Sequence, residues 1–197
     1  MLTQIVILSL VGGLLCLDRI FLQAMLSRPI VIAPVAGFLL GDSYTGLIIG
    51  AIFELFWIDR APIGIYIPPN DSVASAFAAA LAILAGQSLG AVTKELMALS
   101  VLLAVPFGIL AKRMDVRMMA ANDRLSDRAL EEAKSLNFRA IENMTYFALG
   151  RAFVLYAAML LVLPAIFVPT VIRLYPKLPA PIGDALTLTY YFLPVLG

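Results

Sequence analysis

The chain has 197 residues, 62% hydrophobic and only 14% charged, with a mean hydropathy of +0.97. Soluble domains carry about 25% charged residues, and a small fold has too little interior to hide this much apolar surface, so a soluble globular domain and disorder are both excluded in favour of an integral membrane protein. A net charge of +1 gives no nucleic-acid signal, the single cysteine forms no internal disulfide, and the absence of histidine removes His-based triads, His-containing zinc sites and any phosphohistidine on this chain.

Residues 1–17 are almost entirely apolar. No Lys or Arg precedes them, and Leu14-Leu15-Cys16 lacks the small residue that lipidation needs, which predicts a retained membrane segment and not a cleaved signal. The next apolar pieces are shorter than the roughly 20 residues of a full span. Pro29–Gly41 ends at Asp42 and Ser43–Phe53 ends at Glu54, with Pro29, Pro34, Gly37, Gly41, Gly46 and Gly50 as breakers. Such interrupted segments with embedded acids mark half-helices and re-entrant loops, which persist at membrane depth only when packed in protein or lining a cavity. One long span with a buried Asp42 is the alternative. The turn-like cluster Gly41-Asp42-Ser43-Tyr44-Thr45 favours two pieces.

Three stretches are uninterrupted: 72–93 has no charge for 22 positions, 96–111 for 16 and 152–172 for 21. Lys94-Glu95 lies between the first two and predicts a tight helical hairpin, while Lys112 and Arg113 are placed to snorkel. Residues 112–145 differ in kind, holding seven of the fourteen Lys/Arg and six of the thirteen acids. An incomplete stripe of Leu125, Ala129, Leu136 and Ile141 predicts an amphipathic helix or helix pair. The basic count places it in the cytoplasm, as a solvated face or a docking surface. Beyond 163 lie six of the twelve prolines, and Gly197 falls in another apolar stretch, read either as an end within the membrane or as a short version of a longer architecture. The Gly-x-x-x-Gly pairs Gly37/Gly41, Gly46/Gly50 and Gly86/Gly90 are read as internal packing. The predicted fold is an all-α, multi-span helical bundle forming one membrane domain over 1–197. Its parts are N-terminal spans with re-entrant segments (1–111), a cytoplasmic amphipathic loop (112–145) and C-terminal spans (146–197).

Charges inside membrane segments are costly and mark function or pairing. They cluster early: Asp18, Arg19, Arg28, Asp42, Glu54, Asp59, Arg60 and Asp71. Glu54 sits in an otherwise apolar run, where a carboxylate accepts hydroxyl hydrogen bonds from a polyol; the competing role is an ion pair with Arg60 or Arg28. Asn70-Asp71 follows Pro68-Pro69, and Asp71 either caps the next helix or turns its oxygens into a cavity facing Glu54. Asp18 and Gln23 lie about a helical turn apart. Trp57 suits an interface belt, with stacking on a sugar ring as a secondary role.

These residues carry a resemblance. Ser27-Arg28-Pro29-Ile30-Val31, Gly41-Asp42 with Thr45-Gly46-Leu47-Ile48-Ile49-Gly50, Glu54, Ile63-Gly64, and Pro69-Asn70-Asp71 with Ala74-Ser75 resemble membrane subunit IIC of mannose–fructose–sorbose-type sugar phosphotransferase systems. The ordered match spans about 27–80. Ser27 stands where the family often has His, and Pro62 where it often has Asn. The resemblance implies pairing with membrane subunit IID, sugar carriage by an elevator-like movement, and phosphate relayed by cytoplasmic IIA and IIB, the last of which phosphorylates the sugar. By position it implies Asp18, Gln23, Glu54, Asn70 and Asp71 as sugar-facing residues. It also implies a hexose substrate, an oligomer, no cofactor or metal, a permease role without phosphoryl carriage, and the bacterial cytoplasmic (inner) membrane as a multi-pass location. Three readings compete with transport. A non-transporting or regulatory scaffold keeps the fold, a cation channel would be lined by Asp42 and Glu54, and a lone membrane enzyme lacks any nucleophile with a base beside it.

Overall fold

The computed structural model describes residues 1–58 and 67–195. The chain runs through seven α-helices in the described residues: α1 (Leu2–Leu17), α2 (Pro29–Leu40), α3 (Ser43–Phe56), α4 (Asp71–Leu89), α5 (Lys94–Lys134), α6 (Phe138–Leu174) and α7 (Ala180–Phe192). The described residues contain no strand, and short 3₁₀ turns follow α6 and α7. The all-α expectation holds. Helices α4, α5 and α6 are long and apolar enough to cross a membrane, whereas α1, α2 and α3 are shorter apolar helices.

The expected division into two pieces at Asp42 is observed. Gly41 takes φ 91°, a left-handed cap that ends α2. Asp42 then caps α3, its Oδ1 accepting from Thr45 N at 3.0 Å and its Oδ2 from Thr45 Oγ1 at 2.5 Å. The two short helices fold back on each other because glycines face backbone. A Cβ on Gly46 would run into the Ala33 carbonyl oxygen, and one on Gly50 would sit 2.5 Å from the Pro29 oxygen. The Gly46/Gly50 pair therefore serves internal packing.

At the centre lies α4, where every residue from Ser72 to Gly86 is buried. A helix that is apolar all round belongs in the interior, and its many alanines let neighbours approach closely where lipid supplies no hydrophobic drive between helices. It touches α1, α2, α3, α5 and α6. Phe77 of α4 meets Phe107 of α5 and Phe167 of α6 edge-on, at centroid distances of 5.6 and 5.7 Å. Helix α1 lies along α6, with Gly12 and Gly13 against Leu160 and Ala157.

Of the two forms expected for the segment 112–145, the structure shows the helix pair. Helix α5 continues unbroken to Lys134, a turn at Ser135–Asn137 carries Leu136 at φ 57°, and α6 starts at Phe138. At 1.5 Å per residue the 41 residues of α5 extend about 60 Å, roughly twice a bilayer's hydrocarbon thickness. The charged halves of α5 and α6 thus form two arms reaching beyond the apolar spans. Pro164 and Pro169 lie inside α6 without ending it.

Candidate functional site

The loop 18–28, between α1 and α2, draws the predicted residues to one end of the bundle. Asp18 is buried and wrapped by its own loop: Oδ1 accepts from Ala24 N at 2.8 Å, and Oδ2 from Ser27 N at 3.2 Å and Ser27 Oγ at 3.3 Å. Gln23 and Met25 take positive φ, 55° and 64°, to close that loop, and Gln23 N donates to the Asp18 carbonyl at 2.7 Å. The Gln23 side chain is exposed.

From this loop two arginines reach acids on other helices. Arg19 Nη1 donates to Asp71 Oδ1 at 2.7 Å, with both side chains partly exposed. Arg28 pairs with Glu54 of α3, whose Oε2 also accepts from Ile30 N at 3.3 Å, in the first turn of α2. A carboxylate there matches the positive end of the helix dipole. Ser72 Oγ donates to the Ser27 carbonyl at 2.6 Å and ties the loop to the start of α4. Of the two alternatives for Glu54, the structure shows the pair with Arg28; Asp59 and Arg60 lie outside the described residues.

Asn70, and not Asp71, caps α4. Its Oδ1 accepts from Val73 N at 3.0 Å, its Nδ2 donates to Asp115 Oδ2 at 2.9 Å, and its backbone N–H donates to the Gly108 carbonyl at 3.0 Å. Asp71 Oδ1 accepts instead from Ser72 N at 2.9 Å, beside Arg19. Asp115 is buried, its Oδ1 has no hydrogen-bond partner among the described residues, and Tyr156 of α6 neighbours the carboxylate. Sequence reasoning missed Asp115. The signal was the α5 stripe Ala104, Gly108, Ala111, Asp115 and Met118, all buried at spacings of three and four, which puts an acid on an inward face inside an otherwise polar region.

Asp18, Asn70, Asp71 and Glu54 are thus linked through Arg19, Ser27, Arg28 and Ser72. The bonds to Gly108 and Asp115 set this cluster at the level where α5 leaves its charge-free stretch, the basic end of the bundle. Both accessible acids, Glu54 and Asp71, hold a guanidinium. Trp57 is packed inward against Gly108 and stacks near Phe53 and Phe56, with centroids at 5.3 and 5.5 Å. Among the described residues no group of His, Cys, Asp or Glu has metal-binding proximity.

The model of a family described as the phosphotransferase-system sorbose-specific IIC component matches residues 2–197. The chain belongs to that family. Among curated relatives, this IIC chain is 32% identical over 108 residues to a putative N-acetylgalactosamine permease IIC component 2 of Escherichia coli, a match over 55% of this chain and 75% of the relative. It is 27% identical to the fructose permease IIC component of Bacillus subtilis, over 72% of this chain and 49% of that one. To the mannose-specific EIIC component of Escherichia coli it is 28% identical, over 63% and 46%. The matched region therefore spans about half the length of the latter two. Its fold is shared with a solved structure of the mannose transporter ManYZ with microcin E492, at TM-score 0.73 and 21% identity, over 100% of this chain and 77% of that one. A second solved membrane protein aligns at TM-score 0.79 and 19% identity, over 99% and 75%.

Proposed function

We propose that this IIC chain is the sugar-translocating membrane subunit of a mannose-type phosphotransferase complex, binding a hexose and presenting it to a phosphorylated cytoplasmic IIB. The observation that carries the reading is the gathering of two carboxylate–guanidinium pairs, Arg28–Glu54 and Arg19–Asp71, at the starts of α2 and α4 on the basic end of the bundle. Sugars are held by groups that donate and accept at once. A guanidinium beside a carboxylate supplies both without leaving a bare charge in the membrane. In this reading Glu54 and Asp71 accept from sugar hydroxyls, Gln23 reaches from the exposed loop, and Asp18 and Asn70 hold the loop and the α4 start in place. The family fold supports a complex with IID, with IIA and IIB on the cytoplasmic side, in a bacterial inner membrane.

The engaged acids also support a second reading, a scaffold that keeps the fold and partner surface without moving sugar. Uptake of mannose, fructose, sorbose and N-acetylgalactosamine by vesicles holding the chain with its partner subunit separates the two. Transport requires saturable uptake of one sugar, abolished by Glu54→Gln or Asp71→Asn. Intact complex without uptake of any establishes the scaffold, and unchanged uptake in both variants rejects the site.

A further inference from the structure

Where α5 and α6 leave their charge-free stretches, a groove of about 880 Å³ opens between them, touching the buried α5 stripe described above only at Met118. Its lining is largely apolar, with Met118 on α5 and Val154 on α6 among it, and carries two charged side chains, Arg117 from α5 and Arg151 from α6. Arg151 is the last charge before the 152–172 stretch, and Arg117 follows the end of the 96–111 stretch by two turns. Both guanidinium groups therefore sit near the depth of lipid headgroups. Arg151 donates to Asn122 Oδ1 at 3.1 Å and to the Ala121 carbonyl at 3.5 Å, and lies 5.9 Å from the Phe147 ring centroid. All three partners are neutral. Neither arginine forms a salt bridge among the described residues; Glu142, near the rim, accepts from the Tyr146 hydroxyl at 3.2 Å. At Gly150 the wall is open, for a Cβ there would meet nothing within 4 Å.

We propose that this groove binds an anionic phospholipid of the cytoplasmic leaflet, with its phosphate on Arg117 and Arg151 and an acyl chain along Met118 and Val154. Guanidinium groups match phosphate oxygens in pairs, and basic pockets between membrane helices on the cytoplasmic side recognise acidic headgroups. Methionine adapts to a flexible chain. A sugar would leave hydroxyls unpaired against the apolar walls, and a free phosphate would leave those walls wet. Only an amphiphile satisfies both the apolar lining and the two guanidinium groups.

The test uses the full chain in its membrane complex, reconstituted in phosphatidylcholine vesicles carrying a diazirine-tagged phosphatidylglycerol or, in parallel, a diazirine-tagged phosphatidylcholine. Labelled residues are mapped by mass spectrometry. The expected result is labelling around Met118 and Val154 several-fold stronger with the acidic lipid, weakened about fivefold by Arg117→Gln. Gly150→Leu, which fills the open wall and keeps both arginines, should abolish it in protein that elutes like the wild type. Equal labelling by the two lipids, labelling that survives Gly150→Leu, or cross-links from the groove to a protein subunit in place of lipid would each overturn the assignment.

Discussion

Asn70 both caps α4 and ties it to α5, and that makes its removal diagnostic. Asn70→Ala loses a helix cap, worth about 1 kcal/mol, and strips the buried Asp115 of its bond, a further 1–3 kcal/mol or so. The folded state in detergent should therefore weaken by roughly 2–4 kcal/mol, read from chemical unfolding. Asn70→Asp keeps the capping oxygen but sets two carboxylates face to face, so it should be as harmful as alanine. A mild effect in both variants would mean that Asp115 is satisfied in some other way. The Arg19–Asp71 pair is of a different order. Its side chains are 25% and 32% exposed, so a double-mutant cycle with Arg19→Gln and Asp71→Asn should return a coupling of only about 0.5–1 kcal/mol. A much larger coupling would indicate a dry seam. The polar side chains themselves were legible in the sequence, because acids and amides stand out against an apolar background. Arg28 was also readable as a partner of Glu54, but the partner of Asn70 was not: Asp115 lies 45 residues beyond it, and no local pattern announces that separation.

At the scale of helices, the break between α2 and α3 was readable because a left-handed glycine and a capping aspartate are local devices. The arms were harder. The switch to charged residues after Ala111 sets 112–145 apart as an amphipathic helix or helix pair without saying that it continues α5, yet the sequence from Lys112 to Lys134 is rich in Met, Ala, Leu, Arg and Glu, strong helix formers, and contains no Gly or Pro. A change of solvent along a helix leaves its backbone bonding untouched, so polarity marks where a helix leaves the membrane and not where it ends. The closeness of α2 to α3 yields a paired prediction. Gly46→Ala drives a methyl group into the Ala33 and Pro34 backbone and should cost about 1–3 kcal/mol of stability. Gly150→Ala, in an open helical wall, should be neutral or gain about 0.5–1 kcal/mol. Equal unfolding midpoints for the two would show that the hairpin has slack.

For the whole molecule, the basic arms set orientation. Cys16 is the sole cysteine and is buried, so an added cysteine reports with little background. Ser135→Cys, in the turn joining the arms, should react with a membrane-impermeant maleimide in inside-out vesicles and stay unlabelled in intact spheroplasts. The reverse pattern would invert the topology and, with it, the side on which the polar cluster lies.

The hairpin's interlocked backbones also sort the two ion pairs. Arg28 and Glu54 belong to opposite limbs of one stiff clasp, so they travel as passengers on the same vehicle whatever else shifts. Arg19 and Asp71 stand on different helices' ends, past the exit of α1 and at the entrance of α4, so a displacement of one against the other would unfasten them. Of the two ion pairs, Arg19–Asp71 is therefore the one that a shift between helices would break.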